Sequence, residues 1–278
     1  MMWTIHAAGR FAPAALLCGA AALMCVGARA QMPAMADFSG YEHLDRQQVL
    51  EQLARATPEH PADFHSKYLA GLDLKGVDFK HANLAAAVLN GADLTGADLS
   101  DCNLTVSFAE HAVFRKARLR GAMMFSMQLK GADFRDADLT AARFIGDMQN
   151  ADLRGAVLAH MDGAADMKNQ SMGLMHATIS SANLRGADLS GADLSRADFS
   201  FSSLEEADLH GARLFGANFS GASLARANLS GADVREANVI DTDLGGSNLE
   251  HADFTGSVFR NLRGLETARR GGASGLPQ

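Results

Sequence analysis

The chain has 278 residues and a formal net charge of −7, from 25 Lys and Arg against 32 Asp and Glu. That balance lacks the basic footprint of a nucleic-acid binder. An aromatic content of 6% is low for a broad globular core and suits a narrow interior lined by Leu and Ala; the length fits one extended domain or two ordinary ones.

Residues 1–30 are predicted to be a signal peptide. Arg10 precedes an apolar run from Phe11 to about Gly27, and Ala28-Arg29-Ala30 supplies the small residues of a cleavage site before Gln31. The run is short for a membrane span, and neither Cys18 nor Cys25 follows the small residue of a lipoprotein site. The expected product is periplasmic or secreted, with no stable membrane insertion. Loss of Arg10 and Arg29 with no acid takes the net charge from −7 to −9. Only Cys102 then remains, so no intramolecular disulfide can form.

Residues 31–61 are read as an N-terminal segment with a capping helix over 46–56. Asp45 offers an N-cap with Gln48 three residues on, Val49, Leu50 and Leu53 share a side, and the helix should stop before Pro58.

From about residue 62 to 260 the sequence runs in fives, as in "ANLRGADLSGADLSRADFS" at 182–200. A helix needs apolar residues every three or four positions and a half-buried strand every second one, so a period of five must be its own unit. Fifteen centres stand in unbroken step from Leu74 to Phe144, all Leu, Phe or Met except Ala109, and seventeen large ones from Ile179 to Phe259. Two positions before them the residue is usually Ala, with exceptions that include Leu72, Val77 and Met127. On an extended backbone the two point the same way, while Asp, Asn, Ser, Arg and Gly occupy the outward positions. Gly recurs two after the centre, where a corner needs permissive dihedrals. The acids, such as Asp188, Asp208 and Asp193, align every twenty residues and read as solvated ladders.

These units resemble the pentapeptide-repeat family, whose motif is A-(D/N)-L-x-x. The resemblance implies an all-β fold, a right-handed four-sided parallel β-helix (a pentapeptide-repeat solenoid) with four units to a coil. Residues 261–278 are expected to be a flexible C-terminal tail, with Leu262 and Leu265 plugging the last coil.

The period fails at about 145–176. Moving one residue earlier makes Met148, Leu153 and Leu158 centres with Ala151 and Ala156 as small partners, and then "AHMDGAADMKNQSMGLMHA" fits poorly in any step. His160, Met161, Met167, Met172, Met175 and His176 crowd this break, with Met123 shortly before it. Two readings stand side by side. Flexible methionines fill an irregular core, which suits Met124, Met127 and Met148; or soft thioethers with imidazoles bind copper(I), for which the candidate ligands are His160, Met161, Met167, Met172, Met175, His176 and Met123. The run is also similar to methionine-rich segments of bacterial periplasmic copper-resistance proteins.

Cys102 occupies an inward small-residue slot, as an inert thiol would. With neither a nucleophile–base arrangement nor a phosphate loop, the chain reads as non-enzymatic: a copper(I)-binding exported protein or, without metal, a structural or protein-interaction rod. A DNA mimic of the gyrase-protection kind fits less well, because a signal peptide and interrupting arginines both oppose it.

Overall fold

Each repeat unit uses its five residues in the same way. In Ala92-Asp93-Leu94-Thr95-Gly96, Ala92 and Leu94 are fully buried. Asp93 between them bridges Asp73 on one side and Val113 on the other, in parallel. Its amide donates to Leu72 O, that of Leu94 to Val113 O and that of Gly96 to Arg115 O, while Ala97 closes the turn on Leu94 O. Four of every five amides are thus satisfied within the repeat, as a buried backbone requires. The outward Asp sets the turn, because its Oδ1 accepts the Thr95 amide two residues on at 3.0 Å, an Asx turn. This explains Asp and Asn at that position better than solvation does. Where Asn stacks on Asp or Asn twenty residues away, its Nδ2 also donates across, as from Asn228 to Asp208 at 2.9 Å.

The computed structural model describes residues 37–79, 81–164 and 176–278; the signal-peptide expectation at 1–30 lies outside them. Parallel bridges between residues about twenty apart run from Asp63–Asn83 to Asp253–Ser274, in four columns, and each round of four units is called a tier below. The expectation of a continuous right-handed, four-sided β-helix solenoid is corrected. Among the described residues strand pairing is confined to three two-stranded parallel sheets: β1 (Glu42–His43) with β2 (Lys67–Tyr68), β3 (Met123–Gln128) with β4 (Arg143–Asp147), and β5 (Asn238–Ile240) with β6 (Val258–Arg260). Elsewhere each contact is a single-residue bridge between turns. The reason is local. Two of the five residues are spent on the turn, which leaves an extended piece too short to make a strand.

Helix α1 (Arg46–Arg55) forms where its capping box lies, with the Gln48 amide donating to Asp45 and the Asp45 amide to the Gln48 side chain. It buries Val49 and Leu53, one helical turn apart; Leu50, expected on the same side, is exposed. At the other end, where a flexible tail is expected, Arg263, Arg269 and Ser274 continue the bridge columns, a 3-10 turn spans Leu265–Thr267, and Leu262, Leu265 and Leu276 pack on the core.

The interior holds the expected centres, with Phe114 stacked on Phe134 and Phe199 on Phe219 at 4.7 and 5.3 Å. Hydroxyls in small-residue slots are satisfied by carbonyls, as Ser202 is by Ile179 O at 2.6 Å and Thr242 by Phe219 O at 2.9 Å.

The second turn residue adopts positive φ in nearly every unit, whether or not it is Gly. Val106, at φ 60, is the least suited, being β-branched. Val106→Gly should therefore raise stability by about 1 kcal/mol, the strain relieved less the backbone entropy that Gly loses. A thermal midpoint at or below the parent's would show that Val106 is held there without strain.

Candidate functional site

Bridge register locates the break. Pairs run at twenty through Phe125–Ile145, then at nineteen for Gln128–Asp147, Asp133–Asp152, Asp138–Val157 and Arg143–Asp162. They jump to thirty-one for Asp147–Thr178, Asp152–Asn183, Val157–Asp188 and Asp162–Asp193, and return to twenty at Thr178–Asp198. The interruption is therefore two events: one residue lost near 145–147, and eleven gained between Asp162 and Thr178.

The lost residue lies where β3 slips against β4, between Phe125 and Gln128. Gly146 there takes a small-residue slot, two before Met148, and Met127 fills the facing slot. A Cβ on Gly146 would sit inside contact distance of Met127 O and 3.0 Å from its N. The second event shows the same exchange of large for small. Met161 is fully buried in a small-residue slot, while Gly163 takes a centre position, where a Cβ would meet Leu194 Cδ2 at 2.8 Å.

Among the described residues the proposed ligands are not gathered. Met161 is core and is withdrawn from the ligand set. Met123 is 51% exposed and lies two tiers from Asp162, about 10 Å at strand spacing. His160, at φ 57, lays its ring over Gly191 in the following tier, away from Met123. His176 is half-buried where the chain re-enters the columns. Met167, Met172 and Met175 lie outside the described residues. Among the described residues no group of three or more His, Cys, Asp or Glu is placed to hold a metal. The one-residue step to Met148 was legible in the sequence; the inward slots that Gly146 and Gly163 take at the two register changes were not.

Two groups among the described residues bear on catalysis. Burial pushes the Cys102 thiol up to about 12, so it is no nucleophile at neutral pH. His210 Nδ1 lies 3.1 Å from Ser230 Oγ but 3.0 Å from Ser230 O, which can only accept. Nδ1 therefore carries the proton, and Ser230 donates instead to Asn228 at 2.8 Å. That pair is no nucleophile and base. Among the described residues no helix is long and apolar enough to cross a membrane.

Asp133 is a strong electrostatic feature of the repeat. Burial alone would raise its pKa, but hydrogen bonds from Arg135 and Arg115 outweigh this and hold it at about 2. A carboxylate depressed on folding stabilises fully above its unfolded pKa, near 4, and loses that contribution as pH falls through its folded value. Asp133→Asn should thus cost about 1–2 kcal/mol at pH 7, discounted for screening of the partly exposed arginines. The gap from the parent should close between about pH 4 and 2; a gap independent of pH in urea titrations would assign the loss to packing.

Comparison with known proteins bears on the repeat. Pentapeptide repeats match residues 68–162 and 174–261. The chain is similar to HetL, a pentapeptide repeat protein involved in heterocyst differentiation regulation from the cyanobacterium Nostoc sp. strain PCC 7120. Identity is 26%, over 81% of this chain and 97% of that one, with a TM-score of 0.27. It is similar also to QnrB1, a plasmid-mediated fluoroquinolone resistance protein, at 20% identity over 74% and 90%, TM-score 0.32. A third likeness is to alr5209, a pentapeptide repeat protein from Nostoc PCC 7120, at 30% identity over 31% and 83%, TM-score 0.27. Scores this low carry no argument about function. No curated protein matches the chain.

Proposed function

This chain belongs to the pentapeptide-repeat family, and from that premise we propose that it is a non-enzymatic exported binding scaffold whose insertion at 165–175 takes up copper(I). One observation carries the reading. The bridge pairs at thirty-one leave eleven residues that no repeat slot claims, and Met167, Met172 and Met175 fall among them. Core filling accounts for Met124, Met127, Met148 and Met161, all fully buried, and leaves these three without a role in the repeat. Neutral thioethers favour Cu(I) over harder divalent ions, with His176 beside them as a fourth donor.

The test uses the mature protein in competition with a Cu(I) chelator. Replacing Met167, Met172 and Met175 by Leu keeps apolar bulk, preserves the fold and should weaken Cu(I) uptake by roughly tenfold or more. Unchanged uptake by that variant would remove the methionines as ligands. Absence of uptake by the parent would leave a second reading, a protein-interaction surface, for which exposed Met123 and Val106 on neighbouring tiers speak.

A further inference from the structure

The register changes align residues that a strict period of twenty would not. Val113, Asp133, Asp152 and Asn183 bridge one another in succession, and two residues after each stands an arginine: Arg115, Arg135, Arg154 and Arg185. Four guanidinium groups therefore rise on one column, one per tier, about 4.8 Å apart at strand spacing. All remain open to solvent, at 49, 33, 47 and 53% exposure.

Two acids within the column hold the arginines in place without neutralising them. Arg135 donates through Nε and Nη2 to both oxygens of Asp133, at 2.9 and 2.7 Å. Arg154 does the same to Asp152, at 2.8 and 2.6 Å, and Arg115 Nε reaches Asp133 at 2.6 Å. A guanidinium has five N–H donors in a rigid fork, so each keeps donors for an outside anion while its plane is fixed. Arg115 and Arg135 share Asp133, Arg154 takes Asp152 and Arg185 takes Glu206, so four cations face three carboxylates here. Glu205 on the next tier, with Glu206 at 3.1 Å from Arg185, ends the positive strip.

We propose that this arginine file binds a linear acidic polysaccharide carrying one carboxylate per sugar. The strip spans three tier intervals, about 14 Å, and offers a series of donors suited to carboxylate oxygens. Its residues, their bridge positions and the corner beside them (Lys116, Asp136, Gly155, Gly186) include no aromatic ring. A single-stranded nucleic acid would lack the stacking platform it needs, whereas a polyuronate needs only the charges. This strip is independent of the insertion and of copper.

The experiment is calorimetric titration of the full mature chain with a dimer, a tetramer and an octamer of galacturonate at low salt. Affinity should rise steeply from dimer to tetramer and little beyond, because the file is four tiers long. Arg135→Gln with Arg154→Gln should weaken octamer binding roughly tenfold or more. Arg135→Lys with Arg154→Lys, which keeps charge and loses the fork, should weaken it several-fold. Arg213→Gln with Arg235→Gln, equal in charge and on another column, should leave it unchanged. No octamer binding by the parent, equal loss in the control, or equally tight binding of a single-stranded oligodeoxynucleotide would each overturn the proposal.

Discussion

Phe134→Ala is expected to lower the free energy of unfolding by about 3–5 kcal/mol, the range for emptying a large core aromatic site. Phe134 is fully buried, and its ring stacks on Phe114 at 4.7 Å with 4° between the planes. The tier above places Leu153 over it, since Asp133 bridges Asp152. The void could be closed only by drawing the backbone inward. Amides of Asp133 and Phe134 are bound to Ala112 O and Asp152 O on the two adjoining tiers, which resists that movement. The comparison is Phe201→Ala. Phe201 is 72% exposed and sits at φ 59, so its loss should change stability by under about 0.5 kcal/mol. Similar midpoint shifts for the two variants in guanidinium titrations would contradict the division into core and corner.

Gly146→Ala should cost about 3 kcal/mol, at the upper end of overpacking. Adding one methyl group is usually mild, and here it is not, because the atoms in its way are the Met127 carbonyl and amide. Backbone on the neighbouring tier cannot swing aside as a side chain would. This gives the prediction a second edge. Met127→Ala trims the side chain and leaves the obstructing atoms in place, so the double variant Gly146→Ala, Met127→Ala should not recover. A double variant more stable than Gly146→Ala alone would mean that the side chain, not the carbonyl, is the obstacle.

The repeat was legible because its burial alternates within five letters. Ala at 92 and Leu at 94 state the inward pair, and Met148, Leu153 and Leu158 state the shifted step. Helix α1 was legible for a local reason too, since Asp45 and Gln48 complete a capping box without help from the rest of the chain. What escaped depends on contacts across tiers. Continuous strands were expected from the family, but each turn consumes two residues and leaves one bridge. Gly146 looks like any corner Gly until Met127 is seen filling the slot opposite. Corner conformations at Val106 and Phe201 are imposed by the turn against residue preference, and so leave no Gly to read. The tail carries no five-residue step, yet Arg263, Arg269 and Ser274 find partners. Of the candidate metal ligands, Met161 has the composition of a ligand and the position of core.

The step from twenty to thirty-one has an entropic side. Closing a flexible loop costs about (3/2)RT ln n, so lengthening a circuit from twenty to thirty-one residues adds only about 0.4 kcal/mol. Neighbouring circuits keep closures of nineteen and twenty residues and do not share that burden. A foreign peptide of similar length grafted between Ala164 and His176 should therefore be carried at almost no thermodynamic disadvantage, whatever its sequence. The same graft at a corner such as Gly211 would open a second long closure in a previously short one, at the same small entropic charge. This architecture can vary what it displays along its flanks while its interior stays unaltered, and evolution could exchange such segments independently of the core.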